Sequence, residues 1–204
     1  MKTMPKLIVY VLALAITVTM PVMAAGKQSG RQSTQTNTSS LSQAEEETLL
    51  WMREEEKVAR DVYLSLYKTW KQNVFSNIAD SEQNHMDAVL KKIEMFGLID
   101  PVIPGVGNFN NSTLQELFYN LVDEGNQSYV KALIVGATIE DMDILDLMNA
   151  IEQTNNLSLK TTYESLLEGS KNHLRAFVGL LRKQGEDYER QYISQELFDA
   201  ILAL

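Results

Sequence analysis

The chain has 204 residues, with 27 acidic and 18 basic side chains, a formal net charge of −9 and no cysteine. This length predicts one domain of ordinary size, with a core large enough to be stable alone. The absence of cysteine excludes disulfides, thiolate metal sites and a lipoprotein anchor. The acidic charge, and the lack of a basic patch with aromatic residues, argue against nucleic acid as a partner.

The N-terminus has the pattern of a secretory signal peptide. Two lysines precede an apolar run over residues 7–18, and a small-residue segment predicts cleavage after Ala24. The alternative is an uncleaved anchor, but the run is shorter than the ~20 residues that cross a bilayer, and Pro21 follows it. We therefore predict a signal peptide over residues 1–24 and a periplasmic or extracellular protein without a stable membrane anchor. Cleavage leaves 16 basic and 27 acidic residues, so the net charge becomes −11.

Residues 25–43 consist mainly of Ser, Thr, Gln and Gly, with few apolar side chains. Such a segment buries too little apolar surface to offset its ordering entropy, so we predict a disordered linker. The segment from Ser42 to Glu45 has the form of a helix capping box. The folded domain is therefore predicted over residues 44–204.

Two amphipathic helices follow, and polar residues interrupt the apolar face of each. The first helix extends from Ser42 to about Trp70, and its apolar face comprises Leu49, Met52, Ala59, Tyr63, Leu66 and Trp70. Glu56 is the one charged residue on that face. The second amphipathic run covers residues 77–96, and its apolar face comprises Ile78, Val89, Ile93 and Phe96. Glu82 and His85 interrupt it at i, i+3, with Cβ atoms about 5–6 Å apart, close enough to hold one metal ion.

A loop and a short helix separate this pair from a second pair. Residues 97–111 contain two prolines and three glycines and are predicted to be a loop. Ser112 is predicted to be the N-cap of a short helix that ends near Glu124.

The second pair repeats the pattern of interrupted faces. The third bundle helix has an apolar face of Leu133, Ala137, Ile144, Leu147 and Ile151. Glu140 interrupts this face, and Asp143 follows one turn later. The fourth has an apolar face of Tyr163, Leu166, Phe177 and Leu180. Ser170 and His173 interrupt it, Gly185 ends it, and a short C-terminal helix is predicted after it.

Four such faces, without a β-alternating segment, predict an all-α four-helix bundle. The joint between bundle helices two and three spans about thirty residues, whereas the other two joints are short. Short joints make antiparallel hairpins, and the long crossover lets helices two and three run parallel. The short C-terminal helix is predicted to pack over one end of the bundle.

The two hairpins also resemble each other in sequence. Residues 81–89 align with residues 169–177, and both segments contain Asn-His followed by an apolar residue, a charge, Ala and an apolar residue. The only two histidines of the chain, His85 and His173, occupy matched positions. Inward-facing carboxylates and imidazoles at mid-height of a bundle predict a dinuclear metal site. Carboxylate and imidazole ligands suit iron or manganese, and the lack of thiolate argues against structural zinc.

The chain resembles the ferritin-like di-iron carboxylate superfamily. The segment from Glu56 to Tyr63, with Ala-Arg between them, is similar to the first-helix motif of rubrerythrin-like members, and the resemblance covers residues 44–200. Overall, the chain looks most like a bacterial and archaeal branch known as a domain of unknown function. The resemblance implies a ferritin-like bundle whose metal ligands are Glu56, Glu82, His85, Glu140 and His173. It also implies two iron ions, with manganese as an alternative, and oxidation of Fe(II) or reduction of O2 or peroxide.

One position departs from the superfamily pattern. The second Glu-x-x-His of the superfamily is Ser170-Lys-Asn-His173 here, so one bridging carboxylate is missing. Asp143 could restore the charge balance. Otherwise the site is mononuclear, asymmetric, or open at Ser170 to water, substrate or oxidant.

Several other polar residues have a structural interpretation, and some also have a functional one. Glu54 and Glu55 are predicted to form a solvated face. Asn84 and Asn172 either orient metal ligands or lie on the surface, and Tyr63 and Tyr163 are either neighbours of the site or core aromatics. Arg60 and Asp61 are predicted to form an ion pair.

The sequence leaves two functions open. One is an exported di-iron or di-manganese oxidoreductase, and the other is a non-catalytic ferritin-like module that binds metal or serves an envelope partner. A homodimer is also left open, and nothing in the sequence indicates a storage cage.

Overall fold

The computed structural model describes residues 40–203, which form six α-helices and no β-strand. The helices are α1 (Gln43–Trp70), α2 (Asn73–Met95), α3 (Ser112–Gly125), α4 (Tyr129–Gln153), α5 (Leu157–Lys183) and α6 (Gln195–Leu202). No described helix combines the length and apolar composition needed to cross a membrane. The all-α prediction is confirmed for these residues. The predicted signal peptide and most of the predicted linker lie outside them.

Local sequence signals set the helix ends. Ser42 and Glu45 form the predicted capping box, in which each residue's side chain accepts the other's backbone N–H. The N-cap of α3 is Asn111, whose side chain accepts two backbone N–H groups of the first turn. The prediction of Ser112 was wrong by one residue, because two adjacent residues are both good caps and the asparagine makes the bonds.

The joint between α1 and α2 is short. Lys71 ends α1 in the left-handed conformation, with φ of 54°, and α2 begins at Asn73. This start lies before the amphipathic run at residues 77–96 because Phe75, which is fully buried, extends the apolar face by a turn.

Helices α1, α2, α4 and α5 form the bundle, with α1 beside α2 and α4, and α5 beside α2 and α4. One end is filled by an apolar cluster: Leu49, Met52, Val89, Ile93, Leu147, Ala150, Leu159, Tyr163 and Leu166. These residues come from the beginnings of α1 and α5 and from the ends of α2 and α4. Helices α2 and α4 therefore run parallel, as the long crossover predicts. The opposite end holds an aromatic cluster of Tyr63, Phe75 and Phe177, whose ring centroids lie 5.3 and 6.0 Å apart.

Buried Lys57 on α1 anchors the crossover loop. Its Nζ donates to Asp61 Oδ2 at 2.5 Å and to the carbonyl oxygens of Gly105 and Asn108 at 2.8 and 3.0 Å. The ammonium also lies 4.3 Å from the centroid of the Phe109 ring. A lysine that is 1% exposed is thus fully paired, as a buried charge must be.

Two further contacts hold the same loop. Asp61 also accepts the backbone N–H of Gly107 at 2.8 Å, and it pairs with Arg60 at 2.7 Å, which confirms the predicted ion pair. Two turns earlier on α1, Arg53 makes a two-pronged pair with Asp100 at 3.1 and 2.9 Å. The crossover is therefore fixed to α1 at several points.

The prediction that Glu54 and Glu55 form a solvated face was wrong. They are 5% and 4% exposed. Glu54 accepts the backbone N–H groups of Asn110 and Asn111 at 2.8 and 3.3 Å, directly before α3. At Glu54, a long crossover that folds back on α1 covers a position that the helical pattern of α1 alone assigns to solvent.

Asp141 fixes the segment between α5 and α6. Its carboxylate accepts the Tyr188 hydroxyl at 2.9 Å and the backbone N–H groups of Gln191, Tyr192 and Ile193 at 2.6, 3.1 and 2.9 Å. The residue is completely buried. Asp141 therefore points away from the bundle axis, which leaves its neighbours on α4 to face the interior.

Candidate metal centre

The six residues predicted as ligands lie in one layer of the bundle, between the apolar cluster and the aromatic cluster. They are Glu56 on α1, Glu82 and His85 on α2, Glu140 and Asp143 on α4, and His173 on α5. The four carboxylates are 1–6% exposed, and the two imidazole side chains are 12% and 10% exposed. Five of these groups interrupt the apolar face of their helix near its mid-length, and Asp143 follows Glu140 by one turn, so packing of the four faces brings all six groups to a similar height.

Glu82 is the centre of the arrangement. Its Oε2 lies 2.8 Å from His85 Nδ1, and its Oε1 lies 2.8 Å from His173 Nδ1. Glu56 Oε2 approaches His85 Nδ1 at 3.2 Å, and Glu140 Oε2 approaches His173 Nδ1 at 3.3 Å. The two imidazole rings are stacked, with centroids 5.6 Å apart and planes 28° apart.

Two groups of ligand atoms are therefore close enough to hold a metal ion each. One is Glu56, Glu82 and His85, and the other is Glu82, Glu140 and His173. We call them the first and second triads. Each triad has two carboxylates and one imidazole, and Glu82 belongs to both.

Asp143 lies beside the triads but belongs to neither. Its Oδ2 accepts a hydrogen bond from the Ser170 hydroxyl, while Oδ1 is buried without a partner among the described residues. The charges of Glu56 and Glu140 act on its carboxyl group. The serine that replaces the expected glutamate thus orients an aspartate from the neighbouring helix.

Three residues support the ligands. The Tyr63 hydroxyl donates to Glu140 Oε1, so this tyrosine is a neighbour of the centre as well as a core aromatic. Ser81 Oγ lies 2.9 Å from His173 Nε2. Gly169 lies against His85, and a Cβ atom at this position would be 2.5 Å from His85 Nε2.

The sequence analysis missed Ser81 and Gly169, although the internal repeat contains the signal. The two residues occupy matched positions in the repeat, directly before Glu82 and Ser170. Each contacts the histidine of the opposite hairpin. The His173 imidazole therefore has a hydroxyl partner at Nε2, whereas the His85 imidazole packs against the backbone of Gly169.

The remaining candidates lie away from the centre. Asn84 and Asn172 are exposed, and their side chains bond the backbone carbonyls of Asp80 and Glu168, so they are surface residues. Tyr163 belongs to the apolar cluster.

Burial and mutual contact change the pKa values of the ligand groups strongly. Burial raises the pKa of Glu82, but the two histidines, each 2.8 Å from one of its oxygens, outweigh it and lower the pKa to about 2. Burial lowers the pKa of each histidine, but Glu56 and Glu82 raise that of His85 to about 12, and Glu140 and Glu82 raise that of His173 to about 10. In the metal-free protein both imidazoles are therefore protonated at neutral pH.

The pKa values of the other carboxyl groups shift upward instead. Burial raises the pKa of Glu56 to about 8, even though His85 opposes this shift. Burial also raises the pKa of Glu140, and that of Asp143 well above its ordinary value. The centre thus contains more carboxylates than two imidazolium ions can balance.

The donor set fits a pair of divalent ions. Four buried atoms of the ligand groups have no hydrogen-bond partner among the described residues: Glu56 Oε1, Glu82 Oε1, Asp143 Oδ1 and His173 Nδ1. Glu82 Oε1 and His173 Nδ1 lie 2.8 Å apart, close enough to bind the same ion. Mixed carboxylate and imidazole donors suit iron or manganese.

Comparison with known proteins gives a family and a solved relative. The sequence model of the uncharacterized protein domain DUF2202 matches residues 45–204. The uncharacterized protein MJ0754 of Methanocaldococcus jannaschii is 51% identical over 164 residues, which cover 80% of this chain and 89% of that protein. A crystal structure of hypothetical protein MJ0754 from Methanococcus jannaschii superposes with a TM-score of 0.80 at 46% identity. The match covers 89% of this chain and 98% of the chain in that crystal structure.

Proposed function

Because the chain belongs to the DUF2202 family of uncharacterized domains, its function has to be inferred from the site, and we propose that it binds two iron ions, or two manganese ions, in a ferritin-like dinuclear centre. The first triad holds one ion and the second triad holds the other. Each triad supplies two carboxylates and an imidazole, the ligand types that these metals prefer.

The observation that carries this proposal is the position of Glu82. Its two oxygens approach one histidine each, at 2.8 Å. A carboxylate shared in this way keeps two ions close together while it neutralises part of their charge. A structural ion pair needs only one histidine and one acid, whereas two bound cations account for the second histidine and for the flanking glutamates.

Asp143 completes the charge balance. Glu56, Glu82, Glu140 and Asp143 provide four negative charges when they are ionised, which equals the charge of two divalent ions. The unpartnered Oδ1 of Asp143 is the free donor, and the Ser170 hydroxyl holds the other oxygen. In this proposal Asp143 replaces the bridging carboxylate that Ser170 lacks.

We further propose that the centre oxidises Fe(II) or reduces O2 or peroxide, as the ferritin-like resemblance implies. Metal ions of this kind supply the electrons when they are bound. The protein contributes a fixed ligand geometry, in which Tyr63 orients Glu140, and the apolar and aromatic clusters exclude water from both ends of the bundle.

The first experiment measures metal content. Protein purified without chelator is expected to contain about two ions of iron or manganese per chain. Glu82→Gln should lose both ions because both triads share this carboxylate, whereas Glu94→Gln, at an exposed position of the same helix, should keep both. Wild-type protein that contains no iron, manganese or zinc and rebinds none would refute the proposal.

The second experiment separates catalysis from binding. Aerobic Fe(II) oxidation is compared for the wild type, Glu82→Gln and Glu94→Gln, with circular dichroism to check that each variant is folded. An unchanged oxidation rate in Glu82→Gln excludes catalysis at this centre.

Ser170 favours the second candidate, a ferritin-like module that binds metal without turnover. The serine breaks the symmetry of the ligand set, and the lone Asp143 is shorter than the glutamate it replaces. Binding of two ions without Fe(II) oxidation or peroxide consumption would select this candidate.

Export is a separate proposal, and it is supported by the sequence of residues 1–24. N-terminal sequencing of protein recovered from the periplasm or the medium is expected to begin at Ala25. Full-length protein that remains in the cytoplasm would contradict it.

A further inference from the structure

The aromatic rings at one end of the bundle continue from the centre to the protein surface. Beyond Tyr63 and Phe177, the Phe75 ring lies 6.4 Å from the Tyr129 ring, and the Tyr129 ring lies 6.3 Å from the Trp70 ring, measured between centroids. These steps, like the two within the aromatic cluster, fall in the range of about 4.5–7 Å at which aromatic rings pack against each other. We call the five rings the aromatic series, in the order Tyr63, Phe177, Phe75, Tyr129 and Trp70.

The two ends of the aromatic series have different surroundings. Tyr63 is completely buried, and its hydroxyl donates to Glu140, which belongs to the second triad. Trp70 and Tyr129 are half-buried, so part of each ring meets solvent. Tyr63 and Trp70 are seven residues apart on α1, which is about 10.5 Å along the helix axis. The series therefore connects a proposed metal ligand with the solvent through rings in contact.

The opposite end of the bundle contains aromatic side chains but no such series. Tyr163 belongs to the apolar cluster there, and Trp51 and Phe96 pack against that cluster. No ring pair among residues 40–203 includes any of these three side chains. Continuous ring contact is thus a property of the end next to Tyr63, and aromatic content alone does not produce it.

The types of ring in the series suit electron transfer. Tyrosine and tryptophan are the aromatic side chains that give up an electron most readily, and they stand at both ends of the series and at Tyr129. Phe75 and Phe177 are harder to oxidise, but rings in contact shorten the distance over which an electron must tunnel. Peroxide reduction consumes electrons, and a chain without cysteine has no thiolate iron–sulfur centre of its own to supply them.

We propose that the aromatic series carries electrons, one at a time, from a one-electron reductant at Trp70 to the centre during peroxide reduction. This inference rests on the proposed function, which provides the oxidant.

Each transfer balances in electrons and protons. Tyr63 loses one electron to the centre, and its hydroxyl proton passes to Glu140 Oε1 along the existing hydrogen bond. An electron from Tyr129 then restores Tyr63 as the proton returns, and Tyr129, which meets solvent, exchanges its own proton there. Trp70 restores Tyr129, and the reductant in solution restores Trp70. Two such transfers and two protons from solvent convert one peroxide into two waters.

The test locates the radicals that the series forms when no reductant is present. Iron-loaded protein is mixed with hydrogen peroxide and a nitrone spin trap, and peptide mass spectrometry identifies the residues that carry the trap. The wild type is compared with Tyr63→Phe and Tyr129→Phe, which keep the rings and remove the oxidisable phenols. The matched control is Tyr67→Phe, a half-buried position on α1 whose ring belongs to no described ring pair. Trp51, half-buried like Trp70, reports oxidation by radicals in solution.

The wild type and Tyr67→Phe are expected to carry the trap at Trp70 and not at Trp51. Tyr63→Phe and Tyr129→Phe should lose the adduct at Trp70, because the electron then has to cross the missing step in a single longer transfer. An adduct at Trp70 that persists at the wild-type level in both variants would overturn the proposal. Equal labelling of Trp51 and Trp70 in the wild type would overturn it too, because the oxidant would then act from solution.

Metal content and peroxide consumption, measured on the same samples, separate this inference from the proposed function. If wild-type protein binds no metal or consumes no peroxide, the proposed function fails and the electron path falls with it. If it does both and Trp70 carries no adduct, the aromatic series alone is refuted. Circular dichroism checks the fold of each variant. If Tyr63→Phe is not folded, Tyr129→Phe gives the comparison from its half-buried position.

Discussion

Gly169→Ala tests whether the position of His85 determines metal binding. Gly169 lies in the middle of α5, where the change to alanine should favour the helix by about 1 kcal/mol. The added Cβ would, however, lie 2.5 Å from His85 Nε2 and 2.7 Å from His85 Cε1. The substitution therefore acts on a proposed metal ligand from another helix without removing any ligand atom.

The magnitude follows from these distances. Ordinary contact between such atoms is about 3.5 Å, so the imidazole must move by about 1 Å. Metal–ligand distances tolerate only about 0.2 Å, so His85 Nδ1 cannot keep its place in the first triad. We expect the affinity for the first ion to fall about 10- to 100-fold, the usual effect of disturbing a residue that orients a ligand.

The assay is isothermal titration of metal-free protein with Mn²⁺, paired with thermal unfolding in the presence of a chelator. Gly179→Ala is the matched control, because it lies on the same helix and a Cβ there meets no atom within 4 Å. Both variants should remain folded, and only Gly169→Ala should bind more weakly. Wild-type affinity in Gly169→Ala would refute the assignment of His85 as a ligand.

Three other perturbations have defined outcomes. Ser81→Ala removes the partner of His173 Nε2 and should weaken the second triad about 10-fold while the first triad keeps its affinity, as two-site Mn²⁺ titration would show. Affinity should rise between about pH 6 and pH 9, about tenfold per pH unit for each imidazole proton displaced. The reason is that metal must displace protons from His85 and His173, whose pKa values are about 12 and about 10. Lys57→Met removes the lysine from Asp61, which keeps Arg60 and the Gly107 N–H, and should destabilise the metal-free protein by about 1–3 kcal/mol in urea unfolding.

Each of these outcomes can fail independently. Equal weakening of both sites in Ser81→Ala would show a general loss of packing. A metal affinity that does not change with pH would mean that metal binding does not displace protons from the histidines. Wild-type stability in Lys57→Met would show that the crossover loop does not depend on the buried pair.

The sequence predicted which polar residues are buried together, because they interrupt regular apolar faces. Glu56, Glu82, Glu140 and His173 each replace an apolar residue at a position that the helical period assigns to the core, and all four are buried there. The sequence also predicted that α2 and α4 run parallel, because this follows from the length of the crossover between them.

The errors concern contacts between segments that are distant in the chain. Glu54 accepts the backbone N–H groups of Asn110 and Asn111, which lie 56 and 57 residues further along the chain. The helical periodicity of α1 contains no information about these contacts. Glu55 was assigned to solvent for the same reason. The prediction of Ser112 as a cap failed on a choice between two adjacent residues with similar propensity, which only the backbone direction decides.

The unequal division of the ligands between the two hairpins has a consequence for assembly. The α1–α2 hairpin contains the whole of the first triad, whose members are separated by at most 29 residues. The second triad takes Glu82 from that hairpin and its other ligands from α4 and α5, so it forms only after the crossover has closed. Contacts of short sequence separation form early in folding. If the proposed centre binds metal, the first ion would therefore find its ligands in the first half of the nascent domain, and the second half would close around a carboxylate that is already occupied.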